Sequence, residues 1–463
     1  MAYEIVAVVV LGIMVMPAAA CVAIIPWRFE FGKSWRPLPL KLIYPAVVLP
    51  LAVLAFAVAI GGGVLALAVS DSPAIRSLSM AEALAAAVAG VAHAGYIRRV
   101  TRAHVGFEAA FGPNWRDRIG SVSGMLSRRW SPFRYRSGTA QVQRDVAIRT
   151  VEEAGGPLLA DVWRPSGDTQ TTGVAFLYLH GSAWHFFDKG IGTDPMFRHL
   201  AAQGHVVLDV AYRLAPETDI AGMTADAKRA VAWAKRNADR LGIDPNKIVA
   251  GGASAGGHVA MLAAYGHRDP AFTPEDLHGL DTSVAGVVSL YAPSDLRAFV
   301  DHHAGRLAIT GKPAKEKAPI RFDAMNTEQM MMNLCGGMPH DVPHRYDLAD
   351  VKSHVAEGAP PALIFQGEAD FIAPKAATLQ LVDRLKLASV PVVYVEFRQT
   401  EHVWDVMTSM AKRSFGRSLL PGFLDSQYAP QTQAMLYDIE RFLAYLASSA
   451  DIGKKGIRAD SVV

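Results

Sequence analysis

From about residue 142 onward, short uninterrupted apolar runs alternate with amphipathic stretches, and that alternation leaves few architectures open to the chain. The run Val174-Ala175-Phe176-Leu177-Tyr178-Leu179 has no polar face, so as a strand it needs apolar cover on both sides. Similar runs occupy 206–210, 248–250, 284–290, 362–365 and 392–395. Helical periodicity fills 195–202, 224–241, 255–264, 376–387 and, after the last run, 433–446. Strands separated by helices call for right-handed crossovers, which build a mostly parallel sheet with helices on both faces. Residues 296–350 break the rhythm with His302-His303, Lys312, Lys315, Lys317 and Met330-Met331-Met332. Such an insertion, rich in adaptable methionine, is expected to cap a binding site. Neighbouring histidines point apart on a helix or strand, so the pair is not read as a metal site.

The N-terminal region obeys different rules. Residues 5–27 and 42–70 carry no charge, and a bilayer core asks for about 20 apolar residues in a helix. A third segment, 77–97, is mostly alanine but contains Glu82 and His93. Residues 1–97 are therefore expected to form a membrane region of two or three transmembrane helices. A cleaved signal peptide would begin with Lys or Arg, where this chain has Glu4. Ala18-Ala19-Ala20-Cys21 lacks the large aliphatic residue of a lipoprotein cleavage box. Arg28, Lys33, Arg36 and Lys41 mark loop 28–41 as cytoplasmic, so three crossings would leave the following domain in the cytoplasm, which is the expected side for the catalytic domain, and two would not.

Charge separates the remaining regions. Residues 98–136 hold nine arginines against Glu108 and Asp117, interleaved with Phe107, Phe111, Trp115, Trp130, Phe133 and Tyr135. Residues 98–141 are expected to be a basic juxtamembrane linker, resting on anionic headgroups or packed on the main domain. The rest of the chain is slightly acidic, so the formal net charge of +3 is a sum of opposites. One short basic run beside apolar segments does not make a nucleic-acid surface. Two cysteines, Cys21 and Cys335, exclude a disulfide framework and a four-cysteine zinc site.

The chemistry is concentrated after the apolar runs. Gly252-Ala253-Ser254-Ala255-Gly256 follows one run and opens a helix, the context in which small residues let a serine sit on a sharp strand-to-helix turn. A serine hydroxyl is a weak nucleophile and needs a base, itself oriented by an acid. Asp370 lies just past 362–365, and His402 just past 392–397, in the order serine, acid, histidine. Glu368 and Glu401 are rival acids. Donors for a tetrahedral oxyanion would be the N–H groups of Gly181 and Ser182, in His180-Gly181-Ser182-Ala183-Trp184, and of Ala255.

These residues resemble the hormone-sensitive-lipase-like branch of the α/β-hydrolase superfamily, and bacterial esterases with a domain similar to feruloyl esterases. The resemblance covers about 150–448. It includes Tyr212-Arg213-Leu214-Ala215-Pro216-Glu217, Asp226, Gly242-Ile243-Asp244-Pro245 and Tyr291-Ala292-Pro293-Ser294-Asp295-Leu296. It implies an α/β-hydrolase domain over 142–450, with 451–463 as a flexible tail. The layout is similar to that of mycobacterial membrane-associated carboxylesterases. The chain departs from the family pattern at Ser182 and Ala183, where glycines are usual, at Gln366-Gly367 for His-Gly, and at Leu348-Ala349-Asp350-Val351 for Ala-Ser-Pro.

The expected activity is hydrolysis of a small-molecule ester or lipid by Ser254, His402 and Asp370 through an acyl-enzyme, without cofactor or metal, at a lipid bilayer and with no nucleic-acid partner. Trp184, Phe186 and Phe187 are candidate walls of the substrate pocket. An acyltransferase or deacetylase using the same acyl-enzyme, and a non-catalytic receptor on this fold, are the alternatives. The sequence assigns no oligomeric state.

Overall fold

A computed structural model describes residue 61 and residues 72–120, 122–131, 138–149, 157–310, 327–398, 400–402, 404–405 and 430–448. Apolar run 5–27, run 42–70 apart from residue 61, loop 28–41, Lys312, Lys315, Lys317 and tail 451–463 lie outside the described residues. The chain divides into two compact units, one comprising 1–102, 129–134 and 404–434, the other 103–128, 135–403 and 435–463.

In the first unit the main described element is α1 (Pro73–Val100). It contains the expected third crossing, 77–97. Yet among the described residues no helix is long and apolar enough to cross a membrane. At 1.5 Å per residue a helix of 28 residues reaches about 42 Å, so length is not what is missing. Alanine in place of larger aliphatic residues, with Glu82 and His93 among them, leaves too little apolar character. Met80, Leu84, Val88 and Val91 of this helix are exposed.

The second unit carries the eight-stranded sheet: β1 (Ala140–Arg149), β2 (Leu158–Pro165), β3 (Gly173–Leu179), β4 (Val206–Ala211), β5 (Ile243–Ala253), β6 (Gly286–Leu290), β7 (Ala362–Gly367) and β8 (Val392–Phe397). Spatial order is β1-β2-β4-β3-β5-β6-β7-β8. The first three strands in that order pair antiparallel and every later pair is parallel. Before β1 comes α2 (Gly106–Phe111), and between and after the strands lie α3 (Asp194–Ala202), α4 (Ile220–Arg236), α5 (Ala238–Leu241), α6 (Ala255–Tyr265), α7 (Leu296–Thr310), α8 (Thr327–Cys335), α9 (Pro343–Ala349), α10 (Lys375–Leu387) and α11 (Pro430–Ser448). This mixed sheet, parallel through its centre and interleaved with helices, is an α/β-hydrolase fold.

The apolar runs are the central strands, and β3 is almost wholly buried, as a strand covered on both faces must be. β1 and β2 lie outside the expected alternation and extend the sheet on its antiparallel side. The expected single helix 224–241 is two helices, broken at Asn237, whose side-chain amide donates back to Trp233 O at 2.8 Å. Its start is earlier than the periodicity suggests, because Asp219 caps it by accepting from the Gly222 N–H at 2.9 Å.

Part of the basic linker is built into this unit. Phe107 and Trp115 are buried and stack at 4.6 Å, and Phe111 stacks on Tyr445 of α11 at 4.3 Å. The Leu126 N–H donates to Glu440 at 2.7 Å, and Arg118 donates to the Tyr445 hydroxyl at 3.0 Å. Phe111 therefore packs on the C-terminal helix, with Phe107 against both Phe111 and Trp115.

Two buried carboxylates of the sheet stand directly opposite each other, Asp161 on β2 and Asp209 on β4. Burial raises Asp161, but the Asp145 N–H, Arg144 and Lys189 outweigh it and hold its pKa below the ordinary value. Asp209 takes the opposite course. Burial, assisted by Asp161, pushes it up to about 8 although the Gly190 N–H donates to it at 2.6 Å. Between about pH 4 and pH 8 the folded protein keeps a proton on Asp209 that the unfolded chain has lost, so this group makes stability fall as pH rises. Asp209→Asn is uncharged throughout and still offers an acceptor to Gly190. Its unfolding free energy should rise relative to the parent's between pH 5 and 8, by at most about 1.4 kcal/mol per pH unit, in denaturant titrations at several pH values.

Candidate active site

At the end of β5 the chain turns sharply into α6, and Ser254 occupies the turn with φ 51° and ψ −123°. The left-handed region is uncommon for a residue with a Cβ, so the conformation has to be held by its surroundings. The Ser254 N–H donates to Leu290 O at 2.9 Å and its carbonyl accepts from the His258 N–H at 3.1 Å. Flanking glycines make the turn sterically feasible. A Cβ on Gly252 would meet Leu179 O at 2.5 Å, and one on Gly256 would meet His180 O at the same distance.

The two later loops meet this serine. His402 Nε2 lies 2.9 Å from Ser254 Oγ, and His402 Nδ1 lies 2.8 Å from Asp370 Oδ2. A carboxylate only accepts, so Nδ1 carries the proton and Nε2 is left to accept from the serine hydroxyl. Asp370 Oδ1 accepts from the Ile372 and Ala373 N–H groups, each at 2.9 Å, and Oδ2 also accepts from Gln366 Nε2 at 3.2 Å. Glu368 is exposed, and Asp370 is the acid that meets Nδ1. The acid and histidine loops are fastened together, with Glu368 N donating to Phe397 O at 2.9 Å and Ala369 N to Thr400 O at 3.0 Å. Gly367 permits this approach, since a Cβ there would meet Glu401 O at 3.1 Å and run into Thr400 O.

The loop after β3 passes in front of the serine. A Cβ on Gly181 would stand 3.5 Å from Ser254 Cβ, which places this part of the backbone beside the nucleophile. Ala255 follows as the first residue of α6, whose positive end faces the same region. Positive φ falls at Ala183 (47°) and Trp184 (61°), not at Ser182, so the backbone strain implied by the missing glycines sits one residue later than Ser182. Burial lowers His180 to about 4, which keeps this imidazole neutral.

The candidate pocket residues separate. Trp184 is 1% exposed and packs edge-on against Phe299 of α7 at 5.4 Å and against His258 at 5.8 Å. It belongs to the core beneath the site. Phe186 and Phe187 are half-buried in the loop that continues from it.

The 296–350 segment lies over the same loops. His302 and His303 on α7 donate to Phe371 O at 2.8 Å and Ile372 O at 3.1 Å, the two residues after the acid. Asn333 on α8 lies 3.4 Å from His185. Among the described residues no cluster of histidine, cysteine or carboxylate side chains could hold a metal ion.

Three contributors were not anticipated as site residues. The Tyr291 ring packs edge-on against His402 at 4.6 Å, Tyr212 reaches the loop after β3, and Gln366 supports the acid. The two tyrosines lie within motifs shared with the resembled family, each directly after a strand, and Gln366 was noted only as a departure.

Residues 160–385 match the BD-FAE family model. Over 273 residues the chain is 29% identical to the probable carboxylic ester hydrolase LipM of Mycobacterium tuberculosis, covering 58% of each protein. It is 30% identical over 272 residues to esterase LipC of the same organism, covering 58% of this chain and 63% of that one. Esterase LipQ, also from that organism, is 26% identical over 322 residues, covering 67% and 70%. The match thus spans about three fifths of the length of the first two relatives.

The support given to Asp370 has a measurable cost if removed. Thr378 Oγ1 donates to Gln366 Oε1 at 2.9 Å, so Gln366→Leu takes a donor from the carboxylate and leaves a buried hydroxyl without its acceptor. The variant should lose about 1–3 kcal/mol of unfolding free energy, measured by urea denaturation.

Proposed function

We propose that this protein is a membrane-anchored serine carboxylesterase or lipase acting through an acyl-enzyme. The observation that carries the reading is the hydrogen-bonded series Ser254–His402–Asp370, with the serine on a left-handed turn at the head of α6. The relatives named as esterases and as a probable carboxylic ester hydrolase support the same chemistry.

Ser254 Oγ attacks the acyl carbonyl as His402 Nε2 takes its proton, and Asp370 holds the imidazole and stabilises its charged form. The Gly181, Ser182 and Ala255 N–H groups receive the oxyanion, usually a large part of the barrier reduction. His402 then gives its proton to the departing alcohol. Water, deprotonated by the same imidazole, attacks the acyl-enzyme, and the acid leaves with Ser254 restored. Phe186 and Phe187 border the space for the substrate's apolar part, and Trp184 supports them from the core. Neither step calls for a cofactor.

The membrane reading rests on runs 5–27 and 42–70 as two crossings, with loop 28–41 cytoplasmic by its four basic residues. Two crossings leave the catalytic domain on the outer face. The return to the cytoplasm that a third crossing would provide has no support from α1, which lacks the necessary apolar character.

Ser254→Ala should lower hydrolysis of p-nitrophenyl butyrate by about 10⁴-fold or more while circular dichroism stays unchanged, and a fluorophosphonate should label the parent protein but not the variant. Retained hydrolysis would overturn the assignment. A reporter enzyme that is active only where disulfides form, fused after residue 141, should be active. An inactive reporter returns the domain to the cytoplasmic side.

A further inference from the structure

Ser182 stands where glycine is usual, and its side chain is woven into the loop that Gly181 sets beside Ser254. Ser182 Oγ accepts from the Trp184 N–H at 3.0 Å and lies 2.7 Å from the Tyr212 hydroxyl, which donates to His180 O at 2.9 Å. Tyr212 has one hydroxyl proton and spends it on His180, so Ser182 must be the donor to Tyr212. The order is therefore fixed: Trp184 N–H to Ser182 Oγ–H, to Tyr212 O–H, to His180 C=O. All four residues are buried, at 3% exposure or less, so water does not compete. A further bond, from the Ala215 N–H to Trp184 O at 2.8 Å, ties the loop to the same segment as Tyr212.

This chain of bonds begins and ends on either side of Gly181 and Ser182, and it encloses Ala183 with its φ of 47°. A left-handed residue bearing a Cβ costs roughly 1–3 kcal/mol unless its neighbours impose it. Glycine at 182 could adopt many more conformations and would offer no side chain to impose this one.

We infer that the Ser182 hydroxyl and Tyr212 act together as a positioning pair that holds the oxyanion-binding backbone in its productive orientation. The inference rests on the esterase reading and deepens it: the Ser182 N–H would touch the substrate, whereas its hydroxyl acts through the Trp184 N–H and Tyr212. The bond between the pair is lost with either member, while Trp184 N–H to Ser182 and Tyr212 to His180 each need only one of them, so the two losses overlap in part.

Ser182→Ala, Tyr212→Phe and the double variant all keep the 182 N–H. With p-nitrophenyl butyrate each single variant should lower kcat about tenfold with KM within about twofold, and the double variant should lose clearly less than the product of the singles, because the bond between the pair is counted in both. Affinity for a trifluoromethyl ketone, whose tetrahedral adduct places an oxyanion on the same donors, should fall in parallel with kcat/KM. Ser182→Gly should behave as Ser182→Ala or worse. Multiplicative losses, a fall in melting temperature with kcat unchanged, or variants indistinguishable from the parent would overturn the inference while leaving the esterase reading intact. A parent protein that neither hydrolyses the ester nor reacts with a fluorophosphonate would overturn both.

Discussion

The site depends first on how closely the opening turn of α6 approaches the end of β3. Gly252 and Gly256 bring the two backbones to a separation at which a Cβ on either would collide with carbonyl oxygens of Leu179 or His180. That contact does two things at once. It allows Ser254 to take its left-handed conformation at the head of the helix, and it sets the residues just beyond β3 beside the serine. Ser254 and the loop after β3 are thus parts of one packing event, and neither could be moved without the other. Because the colliding atoms would be backbone, side-chain adjustment offers no relief.

Around this contact, buried charge is handled by pairing or by protonation. Asp226 on α4 takes Arg213 through Nε and a second guanidinium nitrogen, both at 2.8 Å, and Arg229 at 2.8 Å. Arg149, at the end of β1, lies 3.6 Å away. One carboxylate therefore ties the antiparallel side of the sheet to the segment after β4, which carries Tyr212 and so reaches the oxyanion loop. Asp209, with less compensation than its neighbour Asp161, stays protonated near neutrality. Lys228 is fully buried, and its charge is held by His267 O at 2.9 Å and Thr273 Oγ1 at 2.5 Å, although burial still lowers it to about 8. The lysine meets the cost of burial with local acceptors and Asp209 with a retained proton.

The central strands and the three residues Ser254, Asp370 and His402 were legible because each rests on a short-range pattern: an apolar run, then a loop with a chemically distinctive residue. β1 and β2 were not. β1 is mostly exposed and half polar, as in Gln141, Gln143, Arg144 and Asp145, and β2 mixes Asp161 with its apolar residues, so neither shows an uninterrupted run. β5 extends beyond 248–250 on both sides, before it through the mostly polar Ile243-Asp244-Pro245-Asn246-Lys247 and after it through Gly251, Gly252 and Ala253, and neither side adds an apolar run. The role of Tyr212 is a long-range fact, set by where β4 ends relative to the loop after β3. That of Gln366 is local, four residues before Asp370, but a glutamine at that spacing carries no signal of its own. Part of the basic linker had two physically reasonable fates, and the aromatic residues Phe107, Phe111 and Trp115 decide it by stacking among themselves and on α11.

The inserted segment at 296–350 is joined to the acid through the same few peptide groups that orient it. Ile372 and Ala373 give their N–H groups to Asp370, while the carbonyls of Phe371 and Ile372 accept from His302 and His303. Ile372 thus serves both partners, its N–H held by the acid and its carbonyl by α7. Phe299 of the same helix rests on Trp184, which fixes the loop after β3. A single helix of the insertion therefore braces the acid loop at one end and the oxyanion loop at the other. An insertion placed for cover alone would need only apolar contact with the rim. One that shares hydrogen bonds with the loop bearing Asp370 also helps to hold that carboxylate where it meets His402 Nδ1.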